Sequence, residues 1–240
     1  MASLTGSSPG CRRRPPRLGL LALGALLAVT AGAGEMPDYM RKALAQFSAE
    51  VPQGWAYTLT TVRNEQQVTE RYDPARLPAE QWTLLRHNGQ APSASEIEQY
   101  AKSRAGGPSA TPQATFQKAD IEPGSVELVR EDAERGEFRC AFRAESTGAD
   151  KMLGHLALRL IVSKRQPRVE RFALELIAPY SPVLGVKMRE LQVQMTFAPP
   201  EADRPGLPAT NSSHFLGRIF FFFTVEENLR VTYSDFARTD

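Results

Sequence analysis

The chain has 240 residues, of which 42% are hydrophobic and 23% are charged, and its 29 basic residues nearly balance its 27 acidic ones. A chain of this length can bury an apolar core large enough for one compact domain that needs no disulfide or metal. The near balance of charge gives a nucleic-acid partner no electrostatic support.

The N-terminus carries the pattern of a secretory signal. A basic run at residues 12–17 precedes the uncharged residues 18–30, and the small residues Ala31 and Ala33 follow at the spacing that signal peptidase recognises. The uncharged run is shorter than the roughly 20 residues that span a bilayer, so cleavage near Ala33 is favoured over the alternative, a retained anchor. We therefore predict a signal peptide at 1–33. The product would be periplasmic or secreted and not an integral membrane protein.

Removal of this segment changes both the charge and the cysteine count. It takes away four arginines and no acid, which leaves 25 basic against 27 acidic residues and a net charge of −2. It also leaves Cys140 as the one cysteine, so no intramolecular disulfide can form. In "EFRCAFRA" Cys140 alternates with Phe138 and Phe142, and we interpret it as a buried, inert thiol rather than a nucleophile.

The first predicted elements are a helix and a strand pair. In "MPDYMRKALAQFSAEVP" apolar residues from Met36 to Phe47 recur at helical spacing, which predicts an amphipathic helix with one side laid on another element. From Trp55 the apolar period becomes two, and residues 64–66 make a plausible turn into a second strand.

A third strand and a second helix follow. The strand is predicted in "QWTLLRHNGQ", which closes on the turn pair Asn88-Gly89. Ser93 and Glu96 form a predicted capping box that starts the helix. The Gly- and Pro-rich residues 105–113 then predict a loop.

After this loop the pattern is nearly all strand. One parity is apolar, as in Leu156, Leu158 and Leu160, and the other is polar, which predicts an antiparallel meander with one buried and one wet face. The Pro-rich residues 199–213 predict one long surface connection. We therefore predict one α+β, mainly β domain over 34–240. It would be a curled antiparallel sheet, or half-open barrel, of about ten strands covered by the first helix and a second short helix.

Four consecutive phenylalanines lie in "GRIFFFFTVE", which is predicted as one strand that ends before a turn at Glu227-Asn228. Alternation places Phe221 and Phe223 in the concave core, and Phe220 and Phe222 on the mostly polar face. Phe220 and Phe222 are therefore predicted as a patch that a helix, the Pro-rich loop or a partner covers. Phe222→Ser is expected to cost less stability than Phe221→Ser.

Large aromatic residues on the apolar parity have two interpretations. They pack in a filled core, or they line a hollow that holds an apolar ligand, and both uses produce the same alternation. The candidates for ligand contact are Trp55, Tyr57, Trp82, Phe197, Phe221 and Phe223.

The sequence contains no catalytic signature. His87, His155 and His214 are far apart and follow no metal-ligand spacing, and there is neither a Gly-x-Ser-x-Gly elbow nor a P-loop. No enzymatic activity, cofactor or metal is therefore predicted.

The order of a signal peptide, an amphipathic helix, a strand pair, a helical insertion and a long meander resembles the periplasmic lipoprotein-carrier superfamily of the LolA, LolB and RseB type. The most similar stretch is "MRKALAQFSAEVPQGWAYTLTTVRNEQQVTERYDPAR", from Met40 to Arg76. Residues 71–96, "RYDPARLPAEQWTLLRHNGQAPSASE", also look like a phrase of uncharacterised exported bacterial proteins. The resemblance implies a half-open barrel, lidded by helices, that holds acyl chains or peptide.

Two functional hypotheses follow. The first is an exported, non-catalytic envelope protein that binds a lipid, an acyl chain or another apolar ligand, or an apolar protein segment, in the hollow of a curled sheet. The alternative is a structural or partner-binding module whose own side chains fill the hollow.

Overall fold

The fold is that of a single curled sheet with two helices. The predicted signal peptide at 1–33 and residues 106–113 of the predicted loop lie outside the part of the chain that the structure describes. The computed structural model describes residues 36–105, 116–143, 152–201, 203–220 and 222–239, all within the compact unit Ala31–Asp240.

Ten strands form one antiparallel sheet within these residues. The elements are α1 (Asp38–Gln46), β1 (Trp55–Arg63), β2 (Gln66–Tyr72), β3 (Trp82–His87), α2 (Ala94–Ala105), β4 (Glu127–Glu131), β5 (Arg135–Cys140), β6 (Leu156–Ser163), β7 (Arg168–Leu176), β8 (Val186–Phe197), β9 (Pro208–Ile219) and β10 (Phe223–Arg238).

The strand order is β3-β2-β1-β10-β9-β8-β7-β6-β5-β4, so the strands from β4 to β10 form a meander and β1 pairs with the last strand. Strands β3 and β4 are the two edges, which leaves the curled sheet open. The predicted fold class is therefore confirmed: a mainly β chain with a curled antiparallel sheet of ten strands and two helices.

Helix α1 covers part of the apolar face of the sheet. It begins after Pro37, whose extended backbone is compatible with the position before a helix, and it buries Met40, Ala43 and Leu44. These residues are three and four apart, so they share one side of the helix, and that side packs on β6 and β7. The prediction that the first helix covers the sheet is confirmed.

The core under α1 is made by alternate residues of neighbouring strands. Leu158 and Leu160 of β6 face Leu174 and Phe172 of β7 in register, and all four are buried. Cys140 of β5 lies opposite Leu158 and is buried as predicted, and this burial raises the pKa of its thiol to about 12. The thiol is therefore protonated at neutral pH.

Two turns and the N-terminal cap of α2 also form where the sequence predicts them. Asn64 and Glu65 both have positive φ between β1 and β2, as do Asn88 and Gly89 after β3. At the start of α2, the Ser93 N–H donates to Glu96 Oε2 at 2.8 Å, and the Glu96 N–H donates to Ser93 Oγ at 3.3 Å. The predicted capping box is confirmed.

The described phenylalanines of the run lie at the β9–β10 hairpin and not in the interior of a strand. Ile219 ends β9, Phe223 opens β10 opposite it, and Phe220 and Phe222 lie in the turn between them. The predicted turn at Glu227-Asn228 is wrong, because both residues pair with β9 inside the continuous strand β10. The pairing of Val186 with Ile219 sets where β9 ends, and this tertiary register outweighs the strand propensity of phenylalanine.

The predicted long loop at 199–213 is also too long. Strand β9 begins at Pro208, and residues 208 and 210–213 pair with β8, so the connection ends at the buried Leu207. A proline is tolerated as the first residue of a strand, where its missing N–H is not needed by the ladder. The Pro-rich composition therefore predicted the presence of a connection correctly, but it placed the C-terminal end of that connection too late.

Candidate functional site

A cluster of aromatic rings lies where β1, β2, β3 and β10 run side by side. Tyr57 is at its centre: its ring centroid lies 5.2 Å from that of Tyr72, 6.0 Å from Trp82, 6.0 Å from Tyr233 and 5.9 Å from Phe236. The register brings these rings together, because Tyr57 faces Tyr72 and Tyr72 faces Trp82 across neighbouring strands. Tyr57, Tyr233 and Phe236 also pack against the core that α1 covers further along the sheet.

An open hollow of about 720 Å³ lies against this cluster, and we call it the tyrosine hollow. Three tyrosine side chains form one wall, and the chain between α1 and β1 forms another. The tyrosine hollow is lined by residues 49–54, Tyr57, Tyr72, Pro74, Ala75, Tyr233 and Thr239.

The tyrosine hollow combines ring surface with hydroxyl groups. Burial raises the pKa of the Tyr57 hydroxyl, and the neighbouring Tyr233, Tyr72 and Glu70 raise it further. The hydroxyl is therefore neutral at physiological pH and can both donate and accept a hydrogen bond. A tyrosine of this kind offers an apolar ligand its ring and a polar group of the same ligand its hydroxyl.

A buried ion pair holds α2 beside this cluster. The Arg104 guanidinium pairs with the carboxylate of Glu70 from β2, and the Tyr100 hydroxyl donates to Glu70 Oε2 at 2.7 Å. The same guanidinium lies 4.4 Å from the centre of the Trp82 ring. Burial and the Glu70 charge raise the pKa of Tyr100, so Tyr100 serves Glu70 as a neutral donor.

The structure brings together only part of the predicted ligand set. Tyr57 lines the tyrosine hollow and Trp82 belongs to its aromatic cluster, whereas Trp55 opens β1 opposite Arg238 and is half-buried. Phe197 lies elsewhere on the apolar face, with its ring 5.7 Å from that of Phe47. A ligand-binding role for these residues stays a prediction.

The structure does not support the position that was predicted for Phe223, and it does not describe Phe221. Phe221 lies outside the described residues, so the comparison of Phe221→Ser with Phe222→Ser stays a prediction. The prediction that Phe223 belongs to the concave core is wrong: it opens β10 beside the turn and is 67% exposed. Phe220 and Phe222 are mostly exposed too, although the Phe220 ring contacts Gly185 in the loop before β8.

Sequence reasoning missed Tyr72, Tyr233 and the pair of Glu70 with Arg104. The two tyrosines share the apolar parity of their strands, so the alternation could have predicted that they lie on the apolar face of the sheet. A partner for Glu70 could also have been predicted, because an acidic residue on the apolar parity of a strand needs a hydrogen-bonding or charged partner when it is buried.

A larger hollow of about 840 Å³ lies on the opposite, polar face of the sheet. Its side chains include His214, together with Gln192, Gln194 and Arg230, and these last three alternate with buried residues of their strands. His214 Nδ1 lies 2.9 Å from Asn228 Oδ1, so part of this surface is already hydrogen-bonded. None of the described residues that line it is a Phe, Tyr or Trp, so it lacks the ring surface of the tyrosine hollow.

The described ranges hold no group of three His, Cys, Asp or Glu side chains placed to bind a metal ion. Likewise, none of the helices in those ranges has the length and apolar character needed to cross a membrane.

Comparison with known proteins gives no family assignment. No family model matches the chain, and no curated protein matches it. Among solved structures, a LolA superfamily protein from Nitrosomonas europaea matches at 13% identity over 84% of this chain and 92% of that chain, with a TM-score of 0.35. A structure described as GphF dehydratase 1 matches at 14% identity over 84% and 83%, with a TM-score of 0.16. TM-scores this low do not place the chain in either group.

Proposed function

We propose that this protein binds, without catalysing a reaction, the apolar part of a lipid-like molecule or an apolar protein segment in the tyrosine hollow. The proposal includes export to the bacterial envelope, which rests on the N-terminal sequence pattern alone.

The observation that carries the proposal is an open hollow of about 720 Å³ whose wall holds three tyrosines from β1, β2 and β10. Sites for small molecules are typically hollows of roughly 300–1,000 Å³ with apolar and aromatic walls and a few polar groups. The tyrosine rings and their hydroxyl groups supply both. Helix α1 packs mainly on β6 and β7, and none of its residues lines the tyrosine hollow.

One observation favours the alternative, a module with a self-filled core. Under α1 the apolar face is closed by the protein's own side chains, and Phe138, Leu158 and Leu160 have no exposed surface at all. Under this alternative, the tyrosine hollow would hold water and the protein would act through an edge strand or a loop.

A fluorescence titration separates the two. In a Trp55→Phe background the signal comes from Trp82, whose ring centroid lies 5.0 Å from that of Tyr72 in the wall of the tyrosine hollow. A brominated fatty acid that enters the hollow quenches Trp82. Ala75→Phe adds a ring to the lining and should weaken this quenching. Ala91→Phe, an exposed alanine outside the lining, is the matched control and should leave it unchanged.

The proposal fails if the fatty acid does not quench Trp82, or if Ala75→Phe and Ala91→Phe quench alike while both proteins unfold at the same urea concentration as their parent. The shared unfolding midpoint shows that neither added ring has damaged the fold.

A further inference from the structure

One end of the sheet carries a group of exposed apolar side chains that we call the apolar tip. It combines the β9–β10 turn with the loop before β8, and its most exposed members are Leu184 at 98% and Phe222 at 87%. Single exposed apolar residues are normal, but a group of them on two adjacent loops marks a contact surface. The members of the apolar tip are Val183, Leu184, Phe220, Phe222 and Phe223.

The two loops of the apolar tip are fixed to each other. The Phe220 N–H donates to the Gly185 carbonyl oxygen at 2.7 Å, and the Phe220 ring lies over Gly185, where a Cβ would meet it at 3.3 Å. Phe220 has φ +49, a backbone conformation that is strained for a bulky side chain. The fold therefore holds an aromatic residue at a turn position where glycine or asparagine would be easier.

A cluster of positive charges borders the apolar tip. Lys187 of β8 faces Arg218 of β9 directly in register, and Arg189 is nearby in β8. Like charges in opposite positions of a sheet repel each other. In the described part of the chain, no salt bridge joins any of these three side chains to a carboxylate.

The charges and the apolar residues share one hollow. A concavity of about 580 Å³ is lined by Lys187, Arg189 and Arg218 together with Val183 and Leu184. This combination suits a ligand in which an anionic group is attached to an apolar chain. The cations attract the anionic group, and the apolar side chains of the protein are buried against the apolar chain of the ligand.

We propose that the apolar tip and its three cations form a docking site for an anionic lipid bilayer. Leu184, Phe220 and Phe222 enter the boundary between head groups and acyl chains, and Lys187, Arg189 and Arg218 contact the anionic head groups. A bilayer matches both halves of this surface, since aromatic and aliphatic side chains enter its interface while basic residues beside them bind its negative surface. The site is separate from the tyrosine hollow: Phe223 opens β10, and Tyr233 of the hollow lies ten residues further along that strand.

The test places a reporter at the apolar tip of the full chain. Leu184→Trp puts an indole at the most exposed position, and Val129→Trp, on the distant edge strand β4, is the matched control. Both are measured against the parent chain, whose Trp55 and Trp82 give the background. The vesicles are phosphatidylcholine alone or phosphatidylcholine mixed with phosphatidylglycerol, each with brominated acyl chains. Binding of residues 18–30 to vesicles would affect both variants alike, so the difference between them is the readout.

The expected result is a blue shift and quenching of the indole at position 184 with the mixed vesicles, and neither at position 129. Adding Lys187→Gln and Arg218→Gln to Leu184→Trp should weaken vesicle binding at the tip by about fivefold for each charge removed. Equal quenching at positions 184 and 129, or equal quenching at 184 with both kinds of vesicle, overturns the proposal. A blue shift without vesicles that grows with protein concentration also overturns it, because the apolar tip would then be an interface between two copies of the chain.

Discussion

Helices α1 and α2 contact the sheet by different means. Helix α1 packs Met40, Ala43 and Leu44 on a part of the apolar face whose core side chains are buried. Helix α2 is held by Arg104 and Tyr100, which reach the buried carboxylate of Glu70.

This difference separates the region under α1, which apolar side chains fill, from the tyrosine hollow, which is open. Apolar side chains fill volume, so the region under α1 has no room for another molecule. A paired charge and a hydroxyl fix a position without filling the space around it. The tyrosine hollow accordingly lies against β1, β2 and β10, and β2 is the strand that carries Glu70, whereas α1 packs mainly on β6 and β7.

The largest effect is expected on the α1 side. Met40→Ala removes a completely buried side chain and should lower the free energy of unfolding by about 2–5 kcal/mol, as measured by urea denaturation. Gln46→Ala, on the exposed side of the same helix, should change it by less than about 0.5 kcal/mol. Similar losses for both variants would show that α1 is not packed on the sheet.

A smaller effect is expected on the α2 side. Arg104→Met keeps a long side chain against Trp82 but leaves the Glu70 carboxylate buried without its cation, which should cost about 1–3 kcal/mol. The Glu70→Gln/Arg104→Met double variant should recover part of this loss, because a neutral amide costs less to bury than an unpaired charge. No recovery would show that the unpaired Glu70 charge is not the cause of the loss.

The cap of α2 should respond to pH. Hydrogen bonds from Ser93 and the contact with His87 lower the pKa of Glu96 from 4.5 to about 2. A carboxyl whose pKa is lowered by folding contributes stability above pH 4.5 and loses it as the pH falls towards 2. Glu96→Gln should therefore be less stable than the parent at pH 7 and should approach it in acid. A stability difference that stays constant over this range would exclude the ionised carboxylate as the cause.

The smallest effect on stability is expected at the apolar tip. Phe222→Ser should change the free energy of unfolding by less than about 0.5 kcal/mol, because the ring is 87% exposed. A loss as large as that of Met40→Ala would show that the ring is covered within the folded chain. Urea denaturation of the two variants side by side decides between these results.

The sheet could be predicted because its signal is local. Leu156, Leu158, Leu160 and Val162 alternate with less buried residues along β6, and each is buried as the alternation indicates. The run of phenylalanines could not be placed in the same way. Its propensity and alternation favour a strand, and only the register with β8, more than twenty residues earlier, places Phe220 and Phe222 in a turn.

The candidate site was predictable only in part. The parity of β1 indicates that Tyr57 is buried, but its ring partners come from β2, β3 and β10, the last of them far along the chain. Glu70 signals a buried acid, yet its cation is 34 residues away on a helix whose placement depends on that same pair. Periodicity indicates which face of the sheet a side chain occupies. It does not indicate which side chains contact each other on that face.

The central claim, that the tyrosine hollow holds an apolar ligand, is tested most directly by native mass spectrometry of the protein purified from its source without detergent. We expect a bound mass that disappears on denaturation and is reduced in Ala75→Phe but not in Ala91→Phe. A bare polypeptide, in a preparation where fatty acid also fails to quench Trp82, would contradict it and leave the self-filled core as the correct description.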